Sequence, residues 1–197
     1  MNIKKFFFLI LIFISTLNKA YSIEADIFVQ STINKATKIL SSNDNKENKI
    51  KRLKMIAKET VDIKGISFYT LGAARKNLSE SERETYAVLF EQYFLKSFSG
   101  RLVDYTNPEI DVLEKEKLNN NYTIVKSLLN GNDDRPSIKI DWRIYTKNPD
   151  NPLIIDLIIE GVSLAKVQKQ EFYSIIQSND GDINALLKNL KIFVDKK

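Results

Sequence analysis

The types of side chain that could act in catalysis are limited in this 197-residue chain, because it contains no Cys and no His. Their absence excludes thiol nucleophiles, disulfides, thiolate or imidazole metal sites, Ser-His-Asp triads and every histidine acid or base. The sequence also contains no phosphate-binding or dinucleotide-binding glycine motif, no nucleophile elbow and no acidic metal loop. Catalysis would have to rest on Asp, Glu, Lys, Arg, Tyr, Ser or Thr.

Two pairs of carboxylates are the remaining candidates for acid–base chemistry. Asp133 and Asp134 are adjacent in a predicted hairpin turn, where acidic residues usually shape the backbone. Asp156 and Glu160 are four residues apart on a predicted strand, which would place them on one face. Salt bridges or a solvated sheet edge are the favoured interpretation of this second pair. We therefore predict no catalytic residues, no metal site and no enzymatic activity.

A stripe of aromatic residues is more informative. Ser79-Glu80-Ser81-Glu82 is a capping-box motif, and it predicts a helix that runs to Ser99 and stops at Gly100. The apolar face of this helix follows a spacing of three and four residues: Tyr86, Leu89, Phe90, Tyr93, Phe94 and Ser97. Two interpretations remain open, an ordinary core or a helix that lies over a curved sheet and leaves an apolar cavity.

Helices precede and follow a block of strands. Apolar periodicity predicts three helices ahead of the aromatic one, over residues 24–41, 46–60 and 62–74. From about Glu109 the period changes to two, and polar turns separate the strands at 119–121, 131–136 and 148–152. Two helices, 164–177 and 182–193, close the chain. This order predicts an α+β fold with a four-stranded antiparallel meander, whose last strand is 153–162.

The N-terminal segment predicts export. Residues 1–5 are basic, residues 6–17 are apolar except for Ser15 and Thr16, and Ala20 and Ser22 suit a cut after Ser22. The apolar run of about 12 residues is shorter than the roughly 20 that a spanning helix needs. We predict a cleaved signal peptide over 1–22 and a single domain over 23–197.

Cleavage also changes the charge of the chain. Lys4, Lys5 and Lys19 belong to the leader, so the mature chain keeps 27 of 30 basic residues against 25 acidic ones. This small excess comes without an Arg/Lys stripe interleaved with aromatic residues. The sequence therefore predicts no nucleic-acid partner.

The chain resembles the MlaC family, also called the toluene-tolerance family, over residues 24–194. The segments GISFYTLG at 65–72, LSESERE at 78–84 and FEQYF at 90–94 resemble the helical half of that family, as does Tyr105. DLIIEGVSL at 156–164 closely resembles the family strand YDVVVEGVSLV. Two further segments, QEFYSII at 170–176 and LLKNL at 186–190, resemble its C-terminal helices.

The resemblance implies a periplasmic phospholipid carrier. Such proteins shuttle lipid between an outer-membrane lipoprotein–porin complex and the MCE-domain subunit of an inner-membrane ABC transporter, and so maintain outer-membrane lipid asymmetry. The implied fold is a helical subdomain on a curved, cone-like sheet with acyl chains between them. Phospholipid is the implied cargo, and no cofactor is implied.

Elementary energetics describes how such a carrier would work. Burial at about 0.8 kcal/mol per CH₂ over two acyl chains contributes on the order of 20 kcal/mol, so headgroup contacts can be few and transfer requires a docked partner. We predict that the lining comes from the aromatic helix, the helix before it and the last two strands: Phe68, Leu71, Phe90, Phe94, Ile140, Trp142, Ile155, Leu157 and Ile159. The other face of the last strand would instead present Ile154, Ile158 and Glu160.

Two other functions stay open at this point. One is an isomerase or dehydratase on the same cone-shaped architecture, with Asp156 acting near Tyr145 or Trp142. The other is a protein-only adaptor whose core is filled by side chains.

Overall fold

The computed structural model describes residues 23–132 and 135–196; the predicted signal peptide and the Asp133-Asp134 turn lie outside them. The described residues form six α-helices: α1 Ala25–Leu40, α2 Lys46–Thr60, α3 Ile63–Leu71, α4 Glu80–Leu102, α5 Leu164–Gln177 and α6 Ile183–Asp195. A 3₁₀-helix, Gly72–Lys76, follows α3. The strands are β1 Ile110–Lys117, β2 Tyr122–Leu129, β3 Ile138–Tyr145, β4 Leu153–Ile159 and β5 Val162–Ser163. The α+β prediction is confirmed.

The sheet is an antiparallel meander in the order β1-β2-β3-β4-β5, so it has five strands where the sequence predicted four. The predicted strand 153–162 breaks at Glu160 and Gly161, whose φ angles are 48° and 80°. A two-residue hairpin turn needs positive φ at both positions, and Gly satisfies this at no steric cost. The chain therefore reverses after Ile159, and Val162 pairs with Ile159.

Helix α4 begins where the sequence predicted but ends later. Its capping box is present, because the Ser79 N–H donates to Glu82 Oε2 at 2.8 Å and the Glu82 N–H donates to Ser79 Oγ at 3.3 Å. The Ser79 hydroxyl and the Ser79 N–H both donate to the Glu82 carboxylate, and these two hydrogen bonds hold the pKa of that carboxyl below its usual range. The predicted stop at Gly100 is wrong, since the helix continues to Leu102. Leu102 packs against a separate core cluster that includes Leu40 and Leu53, and this packing favours the extra turn.

The helices cover one face of the sheet unevenly. Helix α1 packs on β1 and β2, α3 and α5 pack on β4, and α4 packs chiefly on α2, α3 and α6. The register shifts at Leu113 in β1 and at Ile155 in β4. Each such bulge bends its strand and increases the local twist. The longest helix is thus held over a bent sheet mainly by other helices.

Candidate functional site

The helix-facing side of the sheet, here called the inner face, is apolar along most of its length. The register places Val125, Trp142 and Leu157 side by side in one row. The next row contains Ser127, Ile140 and Ile159. Each row has one buried residue, Val125 or Ser127, and two half-buried residues. Trp142 and Leu157 pack against the main core cluster, which contains Val125, so packing against that core decreases from the first row to the second.

This decrease continues along the strands toward one end of the inner face. Leu129 pairs with Ile138 beyond the second row, and both are half-buried. In the opposite direction Ile144 pairs with Ile154, and both are buried in the main core. The inner face thus has a closed end at the Ile144–Ile154 pair and an open end at the Leu129–Ile138 pair.

A column of aromatic rings on α4 shows the same gradient. Phe90 and Phe94 stack with ring centroids 6.2 Å apart, and Phe94 and Phe98 stack at 5.7 Å with an angle of 8° between the planes. Phe90 is buried, while Phe94 and Phe98 are half-buried. Residues four apart lie on one face of a helix, so the column runs along α4 from the interior toward solvent.

The exposed part of this column lies at the open end of the sheet. Only residues 103–109 join the end of α4 to Ile110, the first residue of β1. Ile110 pairs with Leu129, which in turn pairs with Ile138. Phe94, Phe98 and Ile110 all pack against the main core cluster, so the C-terminal half of α4 and the start of β1 border the same core. The half-buried apolar residues of these two elements are the candidate lining of an apolar cleft: Phe94, Phe98, Leu129, Ile138, Ile140 and Ile159.

The closed end is filled by tightly packed aromatic side chains. The Tyr86 ring lies 5.8 Å from Phe90 and 6.4 Å from Phe172 of α5, the second contact being edge-on. The Tyr86 hydroxyl makes a 2.8 Å hydrogen bond with Thr70 Oγ1, so its polar atom is satisfied. Burial raises the pKa of Tyr86 well above its ordinary value. This end is ordinary protein core.

Polar atoms on the inner face are paired with one another. Trp142 Nε1 donates to Ser127 Oγ at 2.8 Å, and the Ser127 hydroxyl donates to the Ile140 carbonyl at 3.0 Å. The indole is thereby held in one orientation with its ring available for apolar contact. The arrangement suits an apolar ligand better than a polar one, because these groups already have partners.

Asp156 is buried, but its oxygens are occupied by the start of α5. Oδ2 accepts from the Ser163 hydroxyl at 2.6 Å, and Oδ1 accepts from the Ala165 N–H at 3.0 Å. Arg143 Nη1 lies 3.6 Å from Oδ2. Ser163 in turn caps α5 by accepting from the Lys166 N–H. Asp156 therefore anchors β5 and α5 to the sheet.

The structure does not assemble the Asp156–Glu160 carboxylate pair or the Asp156–Trp142 pair considered from the sequence. Glu160 lies in the β4–β5 turn, where its carboxylate accepts from the Lys139 N–H at 2.5 Å. Asp156 pairs in register with Arg143, one residue from Trp142, and successive strand residues point to opposite faces. The acid and the indole consequently lie on opposite sides of the sheet.

Most of the predicted lining residues face the helix–sheet interface. Leu71 and Phe90 are buried in the main core, and Phe94, Trp142 and Leu157 pack against it. Ile140 and Ile159 pair at the more open row. Phe68 is half-buried beside the inward face of α3, which Ser67 and Leu71 occupy. Ile155 is the extra residue of the β4 bulge, and Ile154 takes the buried position opposite Ile144.

Sequence reasoning missed three residues of the cleft: Phe98, Leu129 and Ile138. Phe98 could have been found, because it continues the four-residue spacing of Phe90 and Phe94. Leu129 and Ile138 could not, because each ends a strand and its position depends on the register across β2 and β3.

A concave feature lies outside this interface. It is a shallow groove of about 440 Å³ on the outer side of α1, lined by Ile27, Gln30, Ser31, Asn34, Lys35 and Lys38. Across residues 23–132 and 135–196 there is no group of three or more acidic residues placed to hold a metal ion. Among those same residues, no helix combines the length and the apolarity needed to span a membrane.

The fold defines a class of α+β protein in which helices pack on an antiparallel meander and half-buried apolar residues remain where the two meet. The family model for the MlaC protein matches residues 30–192, and the chain belongs to this family. Its fold is similar to that of the phospholipid-binding protein from Ralstonia solanacearum, which was solved in complex with a phospholipid. That structure has a TM-score of 0.72 at 16% sequence identity and covers 87% of this chain and 97% of its own. No curated protein sequence matches this chain.

Proposed function

We propose that this protein is a phospholipid carrier that holds acyl chains in the apolar cleft between α4 and the inner face of the sheet. The observation that carries the proposal is the pair of half-buried apolar surfaces at the open end. Phe94 and Phe98 form one of them, and Ile138, Ile140 and Ile159 belong to the other. Protein interiors normally bury such residues, so two facing and incompletely buried rows suit an apolar ligand.

The chemistry of the cleft favours lipid tails over a polar metabolite. Ser127 and the Trp142 indole already satisfy each other. Tail burial at about 0.8 kcal/mol per CH₂ makes spontaneous release into water very slow. A similar fold in a protein solved with phospholipid supports the same cargo. In this proposal the headgroup stays near the open end, and direct contacts to it are few.

We place the carrier in the periplasm. The 1–22 segment has the pattern of a cleaved signal peptide, and MlaC family membership agrees with that location. The partners of this proposal are the MCE-domain subunit of an inner-membrane ABC transporter and an outer-membrane lipoprotein–porin complex. Shuttling between them would maintain the lipid asymmetry of the outer membrane.

A binding role is also favoured by the position of the buried acid. Asp156 was the candidate for an enzyme on the same architecture, and its two oxygens accept hydrogen bonds from Ser163 and Ala165. A general base needs a lone pair directed at its substrate, whereas this carboxylate holds the hairpin and α5 in place. The apolar cleft is what the carrier requires and what a protein-only adaptor would not need.

The test is organic extraction and mass spectrometry of the purified mature protein. We expect co-purified phospholipid, close to one cleft occupied per chain. The single Trp of the chain, Trp142, lies on the inner face, so its fluorescence should shift when an emptied protein is refilled. A protein that carries no lipid and gives no fluorescence change on exposure to phospholipid would contradict the proposal.

A further inference from the structure

The outer side of the α3–α5 junction carries a cluster of cations around one lysine. Lys169 Nζ of α5 lies 5.0 Å from the ring centroid of Tyr69 on α3, a cation–π distance. Gly72 makes room for it, because a Cβ at that glycine would lie 3.0 Å from Lys169 Cε. A larger residue at position 72 would displace the lysine. The geometry therefore holds Lys169 at the surface between two elements.

Further cationic and aromatic residues lie on α5 and on the 3₁₀-helix that follows α3. Lys166 and Tyr173 lie three residues before it and four residues after it on α5, which places them on neighbouring turns. Arg75 and Lys76 are exposed on the 3₁₀-helix that starts at Gly72. Tyr69 is 44% exposed and Tyr173 is 62% exposed. These residues form the tyrosine–lysine patch: Tyr69, Arg75, Lys76, Lys166, Lys169 and Tyr173.

The positive charge of the patch is not balanced locally. Residues 63–79 contain no Asp or Glu, and Glu171 is the one acid of α5. Glu171 accepts from Gln168 Nε2, and Gln168 accepts from the Tyr93 hydroxyl, so this acid lies on the side of α5 that faces α4. Among the described residues, none of the four cations of the patch makes an ion pair.

Helix α2 provides the contrast, since it is richer in lysine than the patch. Three of its cations are neutralised, as Lys46 pairs with Asp104, Arg52 with Asp44 and Lys58 with Glu91. Its remaining cations have no exposed tyrosine beside them in the helix sequence KENKIKRLKMIAKET. Positive charge alone is therefore common on this protein, and unpaired charge next to exposed tyrosine distinguishes the α3–α5 surface.

We infer that the tyrosine–lysine patch docks the protein on the surface of an anionic phospholipid bilayer. Unpaired lysines and arginines near such a surface are attracted to its negative potential. Tyrosine rings favour the headgroup region, where the ring is partly desolvated and the hydroxyl stays hydrated. Helix α5 separates the patch from the cleft, because its Phe172 packs on Tyr86 and Phe90 on the inner side. Docking and tail binding are thus separate properties of the protein.

The experiment is co-sedimentation of the mature chain with phosphatidylcholine vesicles that either contain or lack phosphatidylglycerol. The patch variant is Lys76→Glu/Lys166→Glu, which reverses two exposed cations outside the cleft. The matched control is Lys51→Glu/Lys54→Glu on α2, which changes the net charge equally and breaks no ion pair among the described residues. A second variant, Tyr173→Ser, removes one exposed ring without changing charge.

We expect binding to the anionic vesicles alone, and weaker binding at high salt because of screening. The patch variant should lose about 25-fold or more in partition coefficient, from about fivefold for each of its two cations. The control should stay within about twofold of wild type, and Tyr173→Ser should lose a few-fold. All variants should retain wild-type amounts of co-purified lipid, so failure of the carrier proposal would appear separately as an empty wild-type protein.

Two results would overturn the inference. One is a wild-type chain that does not bind anionic vesicles. The partner of the patch would then be an acidic protein surface. The other is an equal loss in the patch variant and the α2 control, which would mean that net charge and not this surface determines binding.

Discussion

The closed and open ends of the helix–sheet interface are built from the same kinds of residue and differ in burial. At the closed end Tyr86, Phe90 and Phe172 pack edge to face and exclude solvent. At the open end Phe94 and Phe98 stack in parallel and stay half-buried opposite an incompletely buried sheet. One helix thus contributes both to the core and to one wall of the cleft. The residues of α4 that matter most for stability and those that matter most for binding therefore lie on different parts of the helix.

The largest effect on stability is expected from truncation at the closed end. Phe90→Ala should lower the free energy of unfolding by about 3–5 kcal/mol, because it removes a fully buried ring and leaves a cavity. Phe98→Ala at the open end should cost about 1 kcal/mol, since its ring is already partly in water. Urea denaturation of both variants measures the difference. Equal losses would mean that the two ends are a single uniform core.

The largest effect on binding is expected at the open end. Phe94→Asp should reduce co-purified lipid per protein by at least about fivefold, because a carboxylate against acyl chains is poorly solvated. Ile159→Asp should do the same from the sheet side. Val88→Asp is the matched control, since Val88 is on the same helix and 58% exposed. Far-UV circular dichroism checks that each variant is folded, and unchanged lipid in both cleft variants would refute the assigned lining.

A smaller effect is expected at the junction of the two ends. Ser127→Ala should cost about 1 kcal/mol of unfolding free energy, because it leaves the half-buried Trp142 N–H without its acceptor. The double variant Ser127→Ala/Trp142→Phe removes both polar groups. Its loss should be less than the sum of the two single losses, as expected for groups in direct contact. Additive losses in urea denaturation would show that the hydrogen bond contributes nothing.

The smallest effect concerns the last turns of the helix that joins both ends. Gly100 lies inside α4, and a Cβ added there meets nothing within 4 Å. Gly100→Ala should therefore raise the free energy of unfolding by about 0.5–1 kcal/mol. A glycine in the left-handed region at a helix stop would give the opposite sign. The measured sign accordingly distinguishes the continued helix from the stop that the sequence predicted.

Local signals predicted most elements well. Ser79 and Glu82 form their capping box, Asp62 caps α3, and β2 and β3 follow from alternation between polar turns. These features depend on contacts within a few residues, which sequence reasoning can read. The errors fall where distant contacts decide, as at Gly100, where the packing of Leu102 on α1 and α2 extends the helix. The sequence predicts a strand across Glu160-Gly161 because the residues on either side are β-branched and apolar.

The candidate site shows the same division. The aromatic spacing of α4 identified Phe90 and Phe94 without any structure. The lining of β4 depended on a bulge at Ile155, which no pattern in that apolar run reveals, because every residue near it is an acceptable strand residue. The predicted signal peptide and the single mature domain remain predictions.

The order of residues was sufficient to establish the α+β class, the aromatic face of α4 and the likeness to the MlaC family, because periodicity, caps and motifs are encoded in short segments. Folding alone determined which aromatic residues are core and which line an opening. Phe90 and Phe98 are the same residue type on the same helical face, and they differ in what lies across from them. What covers each ring depends on packing between segments that are remote in the chain.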